Sequence, residues 1–167
     1  MKKFLTSVLI IITVLSLCNT AFAEKIMKKE DATTYTIIVN NKVLDLSSLP
    51  LTPYEKIGTV IIPLRQTSEA LGYKVDWNAE TMSITIDDGY IQKATLYNKT
   101  AIATFEGKLQ IIDMSREIKN TVATTIHDGY TYVPMEFFVE FLNDITIENN
   151  VIKIAPSKAE LCTINME

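Results

Sequence analysis

Hydrophobic and polar positions change period several times between residues 35 and 156, and each change marks an element. The clearest case is residues 60–77, VIIPLRQTSEALGYKVDW. A short apolar strand runs into Pro63, a helix of about two turns follows, and a second strand starts after Gly72. Proline suits the first helical position because its missing N–H has no intrahelical partner there and its φ is already helical. From Leu64 the apolar face is expected to run through Ala70 and Leu71, with Arg65, Gln66 and Glu69 on the other side. Gly72 supplies a left-handed residue at the helix end without a Cβ penalty. Beyond it Tyr73, Val75 and Trp77 alternate with Lys74 and Asp76, the period of a half-buried strand.

The same reading extends along the chain. Residues 35–39 form a strand, Asn40 and Asn41 a turn, and residues 42–44 the returning strand of a hairpin. Residues 47–53 hold Pro50 and Pro53 without periodicity and read as a loop. Asn78, Ala79 and Glu80 turn the chain before an alternating strand over 82–86, and Asp87, Asp88 and Gly89 close the unit. Strands are expected over 91–97, 101–105 and 109–112, with Glu106 and Gly107 turning a hairpin. A second apolar run then ends in Val133 and Pro134, with Met135, Phe138, Val139 and Leu142 at helical spacing and Asn143 in the place of Gly72. Strands over 145–147 and 151–154 flank a turn at 148–150.

Pro63 to Leu71 and Pro134 to Leu142 are equally spaced, so the pattern reads as two copies of one plan, over 35–88 and 89–156. Either copy alone would bury too little apolar surface to be stable. The expected architecture is α+β: two pseudo-repeated units of antiparallel strands, each with one short helix.

Composition changes the picture mainly at the ends. Lys2 and Lys3, an apolar run over 4–17 and the small residues Ala21 and Ala23 before Glu24 follow the three-part pattern of a signal peptide over residues 1–23. Residues 24–34 read as a flexible charged leader and 157–167 as a loose tail. The sequence has 16 basic and 20 acidic residues. Loss of Lys2 and Lys3 leaves 14 basic residues, a net charge of −6, which argues against a nucleic-acid partner. No transmembrane segment is expected after signal cleavage, so the location is secreted or envelope-associated. Leu17 before Cys18 disfavours lipid attachment at that cysteine. Cleavage leaves Cys162 alone, either a free thiol or one paired between chains, so no disulfide framework exists within the chain.

The stretch IPLRQTSEALGYKVDW, with its partner DGYTYVPMEFFVEFL, resembles the copper amine oxidase N-terminal-domain-like family over roughly residues 35–156. The residues that carry the resemblance are Pro63, Leu64, Arg65, Glu69, Leu71, Gly72, Trp77 and Pro134. The resemblance implies an exported stalk or interaction domain, remote from any catalytic centre. Glu136 stands where Arg65 stands in the first copy, and Asn143 replaces the glycine, so a role for that arginine carries onto Arg65 alone.

Candidate chemistry is sparse. His127, the sole histidine, cannot build a copper site, and no motif that matures into a quinone cofactor is present. No metal or other cofactor is expected. Paired carboxylates such as Asp87–Asp88 or Asp76 with Glu80 suggest glycan cleavage, but acids clustered in turns read better as solvated. Arg65 and Glu69 form an i,i+4 pair, and Arg65 is read as tying the helix to nearby carbonyls. Tyr73, Trp77, Tyr130 and Tyr132 are the best candidates for a ligand platform, although on alternating strands core or inter-unit packing is the preferred reading. The expectation is a non-enzymatic structural or interaction module at the cell envelope, with a protein or cell-wall polymer as partner. The alternative is a cell-wall glycan or peptide binder using exposed aromatics.

Overall fold

A computed structural model of the chain describes residues 34–108 and 115–157. The expected signal peptide with Cys18, the leader as far as residue 33, the strand over 109–112 and the tail from residue 158 with Cys162 lie outside the described residues.

The first half contains β1 (Thr36–Val39), β2 (Lys42–Val43), β3 (Tyr54–Lys56), β4 (Thr59–Pro63), helix α1 (Leu64–Leu71), β5 (Lys74–Asn78) and β6 (Ser83–Asp87). There follow β7 (Gln92–Tyr97), β8 (Ile102–Gly107), β9 (Ser115–Lys119), β10 (Thr125–His127) and β11 (Tyr130–Pro134). A 3-10 helix (Met135–Phe141), β12 (Asn143–Glu148) and β13 (Val151–Pro156) complete the order. Among the described residues the fold is mainly β with two short helices, in keeping with the α+β expectation. The strands form three sheets, β12-β13-β1-β2, β10-β11-β4-β3 and β5-β6-β7-β8-β9.

Four tight hairpins set the register. Their two-residue loops, 40–41, 57–58, 128–129 and 149–150, all have positive φ at both positions. That geometry matches the twist of the flanking strands, and asparagine, aspartate and glycine adopt it most readily. Ile57, at φ 51° and 74% exposed, is the exception and carries the left-handed penalty of a β-branched side chain.

All five residues of β4 are buried. Val60 and Ile62 enter the main core, and Ile61 enters a smaller cluster with Val122 and Tyr132. The main core gathers Ile37 and Val39 from β1, Leu64 and Leu71 from α1, Ile84 and Ile86 from β6, and Ile152 and Ile154 from β13. Phe105 and Phe141 meet at 5.1 Å, and Tyr73 reaches Phe141 at 5.3 Å, both tilted contacts favourable for aromatic rings.

Both helices begin directly at the end of a strand. Pro63 (φ −69°) and Pro134 (φ −64°) are the last strand residues and the N-caps, one place earlier than expected. Helix α1 ends as foreseen. Gly72 adopts φ 90°, its N–H donates to the Glu69 carbonyl at 3.0 Å, and the Tyr73 N–H donates to the Ser68 carbonyl at 2.9 Å. This Schellman arrangement satisfies two terminal carbonyls. The buried stripe of α1 is Leu64, Thr67, Ser68 and Leu71, with Ala70 only half-buried at its edge.

The second helix differs from expectation. At three residues per turn, Met135, Phe138 and Phe141 align in one row, whereas a spacing of 3.6 would have grouped Phe138 with Val139 and Leu142. Phe138 and Phe141 are therefore buried, Phe137 is buried beside them, and Val139 and Leu142 face outward. Leu142, not Asn143, takes the left-handed position at φ 58°. Asn143 is instead 3% exposed at the start of β12, where its amide donates to the Phe138 carbonyl and to the Tyr73 hydroxyl, both at 2.9 Å.

Three further differences concern pairing. β1 pairs with β13 in parallel, an arrangement that needs the long connection supplied by the intervening chain and that no local pattern reveals. Glu106 and Gly107 do not turn a hairpin: both lie in β8, opposite Lys93 and Gln92, and the β7–β8 turn falls at 98–101. Strands β3, β9 and β10 have no apolar alternation and form because neighbouring strands offer unpaired backbone groups. Among the described residues no helix is long and apolar enough to cross a membrane.

Ile57→Asn should raise stability by about 1 kcal/mol, read as a higher Tm, because asparagine tolerates the conformation that isoleucine resists. Asn143→Ala should lower it by about 1–3 kcal/mol in denaturant titration, because it leaves buried acceptors unmatched.

Candidate functional site

A concavity follows from how β5 leaves the core. Val75 and Trp77 project from one face of the strand, opposite Ile86 and Ile84 of β6. Val75 is 8% exposed, whereas Trp77, two residues nearer the strand end, is 45% exposed. There the β5–β6 hairpin separates from the β10–β11 hairpin, and a cleft of about 350 Å³ opens between them. Leu64, Val75, Ile84 and Ile126 supply its apolar lining, Trp77 and Tyr130 its aromatic groups, and Thr131 a hydroxyl. Arg65 is the single charged residue of this lining.

Arg65 is held by two bonds from one nitrogen. Its Nη1 donates to the Val75 carbonyl at 3.0 Å and to Glu69 Oε1 at 3.2 Å. The pair with Glu69 is half-exposed and has the less favourable order along the helix, so its contribution is a few tenths of a kcal/mol. The bond to Val75 is the structural one, since it fastens α1 to β5. Glu136, the counterpart of Arg65 in the second half, turns inward and accepts a hydrogen bond from the Thr59 hydroxyl.

The four aromatic residues singled out from the sequence do not form one platform. Trp77 and Tyr130 share the cleft. Tyr73 packs on Phe141 and exchanges hydrogen bonds with Asn143, and burial is the main reason its phenol pKa is raised. Tyr132 is fully buried, and its hydroxyl accepts from the Leu51 N–H and donates to the Leu51 carbonyl. Burial again pushes its pKa up. Both of these tyrosines are packing residues: Tyr73 lies against Phe141 at the junction between α1 and β5, and Tyr132 lies in the small cluster with Ile61 and Val122. Of the remaining motif residues, Leu64 is both core and cleft floor, while Pro63, Leu71, Gly72 and Pro134 shape the strand–helix junctions. Ile84 was discoverable as the cross-strand neighbour of Trp77. Ile126 and Thr131 carried no comparable signal.

The acidic turns are occupied by structural bonds. Asp88 is buried, and its Oδ1 accepts the N–H groups of Tyr90, Ile91 and Gln92 at 2.8, 3.0 and 3.2 Å. Asp87 accepts from Gly89 N–H at 2.7 Å and from Lys108 Nζ at 2.6 Å. Asp76 pairs with Lys74 at 2.8 Å, and Glu80 donates its backbone N–H to Asn78. Asp76 and Asp87 thus stabilise local charge and turn geometry. His127 ends β10 opposite Tyr130, with Nε2 3.5 Å from Asp128 Oδ2. Among the described residues no three His, Cys, Asp or Glu side chains converge as metal donors, so the residues present do not suit copper.

Partial burial acts to raise the Asp87 pKa, but the hydrogen bonds from Lys108 and Gly89 outweigh it and hold the carboxyl below its usual value. A depressed native pKa contributes stability above the unfolded carboxylate range and loses it as pH falls through the folded value. Lys108→Met should therefore lower Tm at pH 7 and have a progressively smaller effect as pH falls through the depressed folded value of Asp87, below which its carboxyl is protonated in both states. Thermal melts across that range check the sign.

Comparison with known proteins places this geometry in context. A family model described as the copper amine oxidase N-terminal domain matches residues 38–154. The chain is also similar to a curated protein from Brevibacillus choshinensis named "Protease inhibitor", at 26% identity over 107 residues. That match covers 64% of this chain and 30% of the relative. No solved structure matches.

Proposed function

Because the chain belongs to the copper amine oxidase N-terminal domain family, we propose that it is a non-catalytic, exported module that binds a protein partner at the bacterial cell envelope. The observation that carries this reading is the cleft beside Trp77. A large aromatic side chain left 45% exposed next to Tyr130 and Arg65 is the composition of an interaction hot spot. Aromatic and arginine side chains combine apolar area with directed polar contacts, so they bind protein surfaces well.

Export rests on the signal-peptide pattern of residues 1–23, with no lipid attachment at Cys18. A protein partner is supported by the name of the Brevibacillus relative, a protease inhibitor. The two-unit reading belongs to the same proposal. A hairpin, a helix and a second hairpin follow one another over residues 54–87 and again over 125–156. In this arrangement one unit completes the sheet of the other and leaves the cleft between their hairpins. The alternative partner is a cell-wall glycan, favoured by the position of Trp77 and Tyr130 in one concavity, where sugar rings could stack.

A photo-crosslinking residue introduced in place of Trp77 should capture a discrete protein adduct on intact cell envelopes, whereas one introduced in place of Tyr97 should not. Purified wall glycan should leave the emission of the native protein's single tryptophan unchanged. Equal capture at both positions, or saturable glycan binding with a tryptophan shift, would replace the protein-partner reading.

A further inference from the structure

The backbone beside Trp77 narrows the kind of partner the cleft accepts. β5 is the terminal strand of the five-stranded sheet, with β6 on one side only. The direction of its backbone groups follows from the neighbouring ladder. The Asp88 N–H donates to the Gln92 carbonyl at 3.2 Å, which makes 88 and 92 a hydrogen-bonded pair continuing the β6–β7 register. Bonded and non-bonded pairs alternate in an antiparallel ladder, so Ile86 with Ala94 and Ile84 with Leu96 are also bonded pairs. The polar backbone groups of Ile84 and Ile86 are thus turned toward β7. Their β5 partners, Trp77 and Val75, consequently point their own N–H and C=O groups away from β6.

The Val75 carbonyl agrees with this orientation, because it receives Arg65 Nη1 at 3.0 Å from outside the sheet. At Trp77 the edge carries an N–H and a carbonyl with no backbone partner among the described residues. Open strand edges pair readily with an incoming extended chain. This edge adjoins a cleft with an apolar floor and one cation, whose two hydrogen bonds both use Nη1. Nε and Nη2 face no protein acceptor among the described residues, and a carboxylate complements them in charge and shape.

We propose that the cleft takes an extended peptide segment of the partner as an added strand on β5. The segment pairs its backbone with Trp77, lodges an apolar side chain between Trp77 and Tyr130, and places a carboxylate against Arg65. This inference rests on the protein-partner reading and specifies its chemistry. A glycan has no alternating N–H and C=O groups with which to match the edge.

The test uses the purified full chain and the emission of Trp77, its single tryptophan. The probe is a seven-residue peptide of alternating valine and threonine around one phenylalanine and one glutamate. Saturable change in Trp77 emission is expected. N-methylation of the amides on one edge of the peptide should weaken binding at least tenfold, and methylation on the opposite edge should leave it within twofold. Arg65→Met should weaken the glutamate peptide several-fold and leave its glutamine analogue unaffected, with circular dichroism checking the fold. Equal effects of methylation on both edges, or no binding of any such peptide, would overturn strand addition. Crosslinking at position 77 would still report a protein partner in that event, so the two readings fail separately.

Discussion

The pairing of β4 with β11 is the constraint on which the rest of the molecule depends. Ile61, Ile62 and Pro63 lie opposite Pro134, Val133 and Tyr132, and the pair sits at the middle of its sheet between β3 and β10. β4 is buried at every residue, so its polar backbone groups have no water to turn to and must be met by neighbouring strands. Each strand also ends in a proline that starts a helix at once. Aligning the strands therefore aims both helices, and with them the hairpins that follow. Proline is tolerated at these positions because the helix start has no use for its missing N–H.

Two different helices result from equivalent starts. Helix α1 completes a regular α turn and closes on Gly72, whose conformation needs no Cβ accommodation. The second helix tightens to 3-10 geometry, which places Met135, Phe138 and Phe141 in one row facing the core. Phe105 of β8 packs against this group, so the five-stranded meander is attached through aromatic contacts and not through strand pairing. Asn143 and Tyr73 join the two helix ends by hydrogen bonds across 70 residues of sequence.

The cleft follows from that attachment. Because the meander and the β4–β11 sheet are separate sheets, their hairpins diverge, and β5 is left as an edge over its last residues. Lys74, Asp76 and the Arg65 bond to Val75 cover part of this edge in the way natural sheets guard against unwanted pairing. Trp77 lies beyond the covered portion. Arg65 thus has one structural bond inward and a free face outward, which is why its position in the motif is compatible with both packing and recognition.

Much of the fold was legible in the sequence. The tight turns at 40–41 and 149–150, the Gly72 helix end and the alternation from Tyr73 to Trp77 are local properties, set by φ preference and by the two-residue period of a strand. The apolar runs ending in Pro63 and Pro134 marked the most constrained strands for the same reason. What the chain alone could not show is which strands become neighbours. The parallel β1–β13 pair, the choice between 3.6 and 3.0 residues per turn over Met135–Phe141, and the polar strands β3, β9 and β10 depend on partners distant in sequence. The fate of the aromatics belongs to the same class. Trp77, Tyr130 and Tyr132 sit in strands and Tyr73 immediately precedes one, and alternation states only which side of a strand a residue occupies. Whether that side meets the core, as for Tyr132, or an open cleft, as for Trp77, is decided by where the next sheet ends, because burial is a property of the assembled surfaces and not of the strand.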